Sequence, residues 1–297
     1  MSGGTTSIKN QRLREMIAGP DLNFLMESHN ALSAKIAEKA GFSGLWASGL
    51  TISAALGLSD RNEASWTQVL DVVEFMTDHV DIPVLLDGDT GFGNHHNVIR
   101  LVKKLCQKHV SGVCMEDKIF PKMNSFLGER QKLADIDDFC SKIKAAKDTQ
   151  LDDDFVVVAR TEALISGLGM TEALKRAEHY RKAGADAILI HSKSDNADEI
   201  LSFAAEWACR SPLVIVPTKY YATPTEIFRQ ARISTIIWAN HSLRSSIVAM
   251  RETTRHIFEN QSINHIEHDI ASLEDVFMLT NEVNANLADA RYKAEQE

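Results

Sequence analysis

Residues 84–116 read VLLDGDTGFGNHHNVIRLVKKLCQKHVSGVCME. An apolar run stops at acidic residues, an amphipathic stretch follows, and a second apolar run stops at a glutamate. Such an alternation is the mark of a βα unit on a parallel sheet. Working outward, strands are predicted over residues 24–28, 44–48, 84–89, 112–116, 155–160, 187–191, 213–217 and 235–240. Helices are predicted between and after them over 33–40, 66–79, 97–109, 136–147, 171–183, 198–209, 224–230 and 243–261. Eight such units predict an α/β fold of the (β/α)8 (TIM) barrel type.

Local punctuation agrees with this reading. Ser65-x-x-Gln68 and Thr223-Pro224-Thr225-Glu226 have capping-box spacing, the second with Pro224 at the first helical position. Gly41 and Gly184 fall where a helix ends in a left-handed residue. A further helix is predicted over 272–290, so the chain carries a C-terminal helical extension, about 243–292, beyond a minimal barrel. Surplus helices of this kind often mediate association. Neither a repeat nor a Pro/Gly linker interrupts the 297 residues, and one domain, 1–297, is expected. A single barrel of about 250 residues plus a tail fits that length.

The formal charge of −9 argues against a nucleic-acid or anionic-membrane surface. Residues 1–10 are polar, and no run approaches the roughly 20 apolar residues that span a bilayer. Cytoplasmic residence is expected. Cys106, Cys114, Cys140 and Cys209 lack CxxC spacing and read as buried thiols, not disulfides, metal ligands or nucleophiles.

Barrel enzymes place their chemistry at the C-terminal strand ends. Here the runs stop at Trp46-Ala-Ser-Gly49, Asp87-Gly-Asp89, Glu116-Asp-Lys118, Arg160-Thr-Glu162, His191-Ser192, Pro217-Thr-Lys219 and Trp238-Ala-Asn-His241. Solvation of loops alone would favour Lys, Ser, Asn and Gly over this concentration of Asp, Glu, Arg, His and Trp. Asp87 and Asp89, two apart on a strand, project from one side and can share a hard cation, with Glu116 arriving from the adjacent strand. Asp60 can join an outer shell, and Gly88 and Gly91 leave room for close backbone approach to a ligand. Mg²⁺ suits such a set because it takes one or two carboxylates directly and holds others through its waters. A helix-capping role for Asp87 or Asp89 stays open. Arg160 matches phosphoryl oxygens bidentately, with an ion pair to Glu162 as its alternative. His191 can donate to the same oxygens or do acid–base work, or be a packed histidine bonded to a neighbour. The loop 117–133 is long enough to be a lid. Its Lys122, Asn124 and Ser125 read on their own as solvated residues.

Taken together, Glu27-Ser-His-Asn30, Gly44-Leu-Trp-Ala-Ser-Gly-Leu50, Asp60-x-Asn-Glu-Ala-Ser-Trp-Thr-Gln68, Asp87-x-Asp-Thr-Gly-Phe-Gly-Asn94, Glu116-Asp-Lys-x-Phe-Pro-Lys-x-Asn-Ser125, Ala159-Arg-Thr-Glu-Ala163, Val216-Pro-Thr-Lys-Tyr220 and Trp238-Ala-Asn-His241 resemble the phosphoenolpyruvate mutase and isocitrate lyase superfamily over about residues 21–292. The resemblance implies that Asp87 ligates Mg²⁺ while Asp60, Asp89 and Glu116 hold its waters. It implies that Ser48 and the amides of Gly49 and Leu50 bind a substrate carboxylate, and that Trp46 covers a pyruvyl plane. It further implies that Arg160, His191 and Asn124 hold phosphoryl oxygens under a lid bearing Lys122 and Ser125. A homotetramer, a dimer of dimers whose barrels exchange their last helices, is implied as well.

The carbon–carbon lyases of this superfamily carry a Lys-Lys-Cys-Gly-His-type lid, and the lid here has no cysteine, so isocitrate-type cleavage or oxaloacetate hydrolysis is disfavoured. Phosphonopyruvate hydrolases are closer. Asn124 and Trp238-Ala-Asn-His241 match the mutase branch, where the hydrolases have Thr and Tyr-Gly-Asn-His. Gly88 replaces a usual Ala, Phe92 a common Tyr, and Met123 and Phe126 flank the lid asparagine. The implied reaction is interconversion of phosphoenolpyruvate and 3-phosphonopyruvate by intramolecular phosphoryl transfer. A catalytically silent binder of phosphonates or diacids is the reading from another class.

Overall fold

Alternate residues of a strand face opposite sides of its sheet, and in the computed structural model the two sides bury into different cores. Residues 7–123, 132–282 and 291–292 are described. Eight strands, β1 (Asn23–Ser28), β2 (Leu45–Ala47), β3 (Val84–Asp87), β4 (Gly112–Glu116), β5 (Val156–Thr161), β6 (Ala187–Ile190), β7 (Leu213–Ile215) and β8 (Thr235–Trp238), pair in parallel in chain order. β1 pairs with β8 and closes the barrel. The expected (β/α)8 architecture is therefore present.

The helices are α1 (Ile8–Ala18), α2 (Ala31–Lys39), α3 (Gly49–Ala55), α4 (Trp66–His79), α5 (His95–Gln107), α6 (Ile136–Thr149), α7 (Gly169–Lys182), α8 (Asp198–Trp207), α9 (Thr225–Gln230), α10 (His241–Asn260) and α11 (Leu273–Leu279). Outward residues such as Leu86, Val113, Val157 and Ile188 pack with helical side chains such as Val73, Val102, Ile143 and Phe203. Inward residues Leu25, Trp46, Leu85, Cys114, Val158, Leu189, Val214 and Ile237 form a second cluster. Leu13 and Ile17 of α1 join that inner cluster, and a Cβ on Gly112 would meet Leu13. Helix α1 thus plugs the N-terminal end of the barrel; burying each of those two side chains is worth about 1.5–3 kcal/mol.

Several local expectations hold. Ser65 and Gln68 form their capping box, and Gly41 and Gly184 take φ of +98° and +107°. Others are corrected. β3 ends at Asp87, and Asp89 follows it with φ +49°, so Asp89 owes its aim to a left-handed turn and not to strand alternation. Pro224 is the N-cap of α9 with no side-chain capping bond, so the Thr223 box does not form. The helix expected over 272–290 is interrupted after Leu279 by a turn with Asn281 at φ +58°, beyond which Glu282 is again helical; residues 283–290 lie outside the described residues. Helices α1 and α3 were not anticipated. Cys114 and Cys140 are buried thiols, but Cys106 is half-buried and Cys209 exposed.

The chain divides into two compact units, Met1–Asn240 and His241–Glu297. The first contains the barrel. In the second, α10 and α11 bury none of their residues. Among the described residues no helix is long and apolar enough to cross a membrane.

Candidate active site

The inward parity that fills the barrel also builds the site. Two residues beyond Trp46, Leu85, Cys114, Val158 and Leu189 stand Ser48, Asp87, Glu116, Arg160 and His191, and all five line one cavity together with Trp46. On β7 and β8 the same step leads to Val216, Thr218 and Ala239, which complete the wall. Helix α3 adds Leu50, and loops add Asp60, Lys118, Lys122 and Asn240.

One side of the cavity is acidic. Asp87 and Asp89 are buried, and a Cβ on Gly49 would lie 3.3 Å from Asp87 Oδ2 and 3.1 Å from Asp89 Oδ1. The missing side chain at Gly49 therefore keeps a cradle open between these carboxylates. Gly88 and Gly91 do not serve a ligand as expected, for a Cβ there would strike Val113 and Val98, respectively. Asn94 caps α5, so neither Asp87 nor Asp89 is a helix cap. Burial pushes the Asp87 carboxyl up, aided by Glu116 and Asp60. Burial likewise, with Asp87 and Glu116, raises Asp89 to about 7.

Lys122 answers this charge from the loop. Its Nζ lies 2.6 Å from Asp60 Oδ1 and 2.5 Å from Asp89 Oδ1. Burial works against the ammonium, but Asp89, Asp87, Asp60 and Glu116 outweigh it and hold its pKa well above the ordinary value. Asn62, φ +58°, links the same groups: its Nδ2 donates to Asp89 Oδ2 at 2.7 Å and its Oδ1 accepts from Lys122 N at 2.7 Å. So Lys122 is not a solvated loop residue.

The donor set suits a hard cation, since every acidic group offers oxygen. Among the described residues no three Asp, Glu, His or Cys side chains converge tightly enough to grip an ion directly. Asp60, Asp87 and Glu116 nevertheless line one cavity, and such oxygen donors fit Mg²⁺, which takes one or two carboxylates directly and keeps several waters. The residues present thus fit the group.

The other side is cationic. Arg160 Nε donates to Glu162 Oε1 at 2.6 Å and lies 3.3 Å from Glu116 Oε2. His191 Nδ1 is 2.8 Å from Glu162 Oε1 and 2.9 Å from Arg160 Nη2. Lys118 Nζ lies 3.3 Å from Glu162 Oε2 and 3.4 Å from Glu116 Oε1. Burial opposes the Glu162 carboxylate, yet Arg160, His191 and Lys118 hold it well below the usual range. Burial, then Arg160, lowers His191. Both alternatives left by the sequence, the Arg160–Glu162 pair and the bonded histidine, are formed, and both residues nevertheless face the cavity.

Of the expected residues, Trp46, Ser48, Leu50, Asp60, Asp87, Glu116, Lys122, Arg160 and His191 share the cavity. Asp89 contacts it through Lys122. Ser48 Oγ caps α3 through Thr51 N, and Gly49 N donates to Asp87 Oδ2 at 3.3 Å. Asn124 and Ser125 lie outside the described residues. Sequence reasoning did not assign Glu162, Lys118, Asn62 or Thr218. Strand parity reaches Glu162, Lys118 and Thr218, whereas nothing local signals the convergence of Asn62.

The sequence profile of the family described as Phosphoenolpyruvate phosphomutase matches residues 13–258. The chain belongs to this family. The phosphoenolpyruvate phosphomutase of Tetrahymena pyriformis is 56% identical over 285 residues, covering 96% of this chain and 95% of that one. A crystal structure of the phosphoenolpyruvate phosphomutase of Streptomyces platensis subsp. rosaceus superposes with a TM-score of 0.93 at 41% identity, covering 95% of this chain and 99% of the other. A phosphonopyruvate hydrolase crystallised with oxalate and Mg²⁺ superposes with a TM-score of 0.91 at 39% identity, covering 97% and 99%. Membership in the phosphomutase family thus spans the barrel and all the strand ends described above.

Proposed function

We propose that this chain interconverts phosphoenolpyruvate and 3-phosphonopyruvate, moving the phosphoryl group between the enol oxygen and carbon 3 of one bound pyruvate enolate. The observation that carries the reading is the opposition, inside one cavity, of an acidic cradle to the Arg160–His191 pair, with Lys122 laid across the cradle. An enolate that needs a cation and a phosphoryl group that needs donors are both served.

In the forward direction the O–P bond breaks and its electron pair stays on the enolate. Carbon 3 then takes the phosphorus, and the enolate oxygen becomes the ketone of phosphonopyruvate. Such a transfer passes through a loose, metaphosphate-like transition state, so positioning and charge stabilisation do most of the work. Arg160, kept cationic by Glu162 and Glu116, and His191 hold the phosphoryl oxygens. Trp46 packs against the pyruvyl plane, while Ser48 and the amides of Gly49 and Leu50 take the carboxylate, Gly49 N exchanging its bond to Asp87. Asp87, with Asp60, Asp89 and Glu116 beside it, would hold Mg²⁺, which would supply Lewis-acid stabilisation of the enolate oxygen when bound. Lys122, with Asn124 and Ser125 further along the loop, keeps out the water that would otherwise take the phosphoryl group.

The same reading assigns the chain to phosphonate biosynthesis in the cytoplasm and to a homotetramer, a dimer of dimers with exchanged C-terminal helices. Exposed Val248, Met250 and Phe258 on α10 and Leu273, Phe277 and Met278 on α11 support association through these helices. To test the activity, EDTA-treated protein is given phosphonopyruvate and titrated with Mg²⁺ while phosphoenolpyruvate is followed. Saturable, Mg²⁺-dependent formation is expected; none at any Mg²⁺ concentration counts against the reading.

A further inference from the structure

Asp117 follows Glu116 in the chain, and its side chain turns to the opposite side of the strand, away from the cavity. It is fully buried. Oδ1 accepts from Glu162 N at 2.8 Å, and Oδ2 accepts from Tyr180 Oη at 2.7 Å, Arg176 Nη1 at 3.1 Å and Thr161 Oγ1 at 3.3 Å. Arg176 and Tyr180 lie one turn apart on α7, and Arg176 Nε is itself held by Glu172 at 2.9 Å.

This cluster also joins the two ends of the loop that carries Lys122. Asp117 O accepts from Ala134 N at 2.8 Å, and Arg176 Nη1 donates to Ala134 O at 3.0 Å. Immediately beyond, Lys118 and Leu133 form an antiparallel bridge. From this stem Lys118 Nζ reaches Met123 O at 3.1 Å as well as Glu116 and Glu162, and Lys122 reaches Asp60 and Asp89. One buried carboxylate therefore holds the loop stem on one side and, through Glu162 N, the β5 end bearing Arg160 on the other.

We propose that Arg176 and Tyr180 are positioning residues which, by clamping Asp117 and Ala134, fix the stem of the 118–133 loop so that Lys118 and Lys122 stay over the cavity and water is excluded from the migrating phosphoryl group. The inference rests on the mutase reading. Loosening the clamp lets water compete: the C–P bond of phosphonopyruvate breaks, water supplies the oxygen that joins phosphorus and a proton to carbon 3, and the products are pyruvate and inorganic phosphate. A role confined to tying α7 to the barrel lowers isomerisation and phosphate release in proportion. A positioning role changes their ratio.

The test follows phosphonopyruvate in the Mg²⁺-loaded full-length protein and quantifies phosphoenolpyruvate against inorganic phosphate in the parent, Tyr180→Phe, Arg176→Lys and Arg176→Ala. Losing a buried hydrogen bond to a charged group weakens the held arrangement by about tenfold or more, so the ratio of phosphate to phosphoenolpyruvate is expected to rise by about tenfold in Tyr180→Phe. Arg176→Ala should exceed that, and Arg176→Lys, which keeps the charge, should recover part of it. Should Arg176→Ala not fold, Tyr180→Phe decides. Folded variants that keep the parent's ratio overturn the clamp alone; a parent that forms no phosphoenolpyruvate overturns the mutase reading and this inference with it.

Discussion

Lys122 Nζ stands 2.5 Å from Asp89 Oδ1, with both side chains buried. The lysine belongs to a loop beyond β4 and the aspartate to a left-handed turn beyond β3, so the contact joins loop and cradle. It makes the position of the loop depend on the charge of the cradle, and the charge of the cradle depend on the loop.

Replacing Lys122 with Met keeps the apolar stem and removes the ammonium. We expect kcat to fall on the order of 10²-fold, as for loss of one preorganised charged donor. Mg²⁺ affinity should not weaken, because no positive charge is left to oppose the ion. Steady-state kinetics alongside calorimetric Mg²⁺ titration check both; parental kcat, or weaker Mg²⁺ binding, contradicts the assignment.

The cradle's own charge is visible in the pH dependence of stability without metal. Burial and neighbouring carboxylates raise Asp89 to about 7 in the folded protein, above the ordinary carboxylate value of the unfolded chain. The folded state therefore binds this proton more tightly. Asp89's contribution to stability rises as pH falls through about 7 and levels off below the unfolded value. In EDTA, the parent should gain on the order of 1 kcal/mol relative to Asp89→Asn between about pH 8 and 6. Denaturant unfolding of the two proteins measures it, and a difference that stays flat or shrinks refutes it.

On the cationic side, Glu162 is the common partner of Arg160, His191 and Lys118. Glu162→Gln leaves buried cations undercompensated, and removing one member of a buried pair costs about 3–5 kcal/mol. Its folded pKa is depressed, so this stability is fully present above the unfolded carboxylate value and is lost as pH falls through the folded one. The loss should accordingly be complete at neutral pH, where chemical denaturation reads it, and KM for phosphonopyruvate should rise as Arg160 loses its anchor. A neutral change in both would remove Glu162 from the site.

Asp87 tests the cation directly. Mg²⁺ at about 100 times its Kd should stabilise the parent by about 2.7 kcal/mol. Asp87→Ala should be as stable as the parent in EDTA, being freed of a buried charge, and should gain nothing from Mg²⁺. Equal stabilisation of both proteins by the ion contradicts Asp87 as its principal ligand.

Strand alternation explains what the sequence could reveal. The apolar runs that predicted eight strands also fixed which residues point inward, and the step from Leu85 to Asp87 or Val158 to Arg160 delivers chemistry without knowledge of the tertiary fold. Asp89 reaches the cradle by another route than alternation, since its backbone has left the strand and turned to φ +49°. Asn62 and Lys122 come from loops placed by distant partners, Asn62 by Asp89 and Lys122 by Asp60 and Asp89, and no local period records those partners. Helix α1 was overlooked because its apolar stripe is only Leu13, Met16 and Ile17, too sparse to stand out from a polar N-terminal stretch.

The most direct test of the central claim is the phosphorus NMR spectrum of phosphonopyruvate incubated with the protein and Mg²⁺, beside an EDTA control. The account predicts a phosphate-ester signal from phosphoenolpyruvate that grows as the phosphonate signal falls and is absent with EDTA. Inorganic phosphate in its place would make the chain a hydrolase, and an unchanged spectrum would contradict phosphoryl transfer altogether.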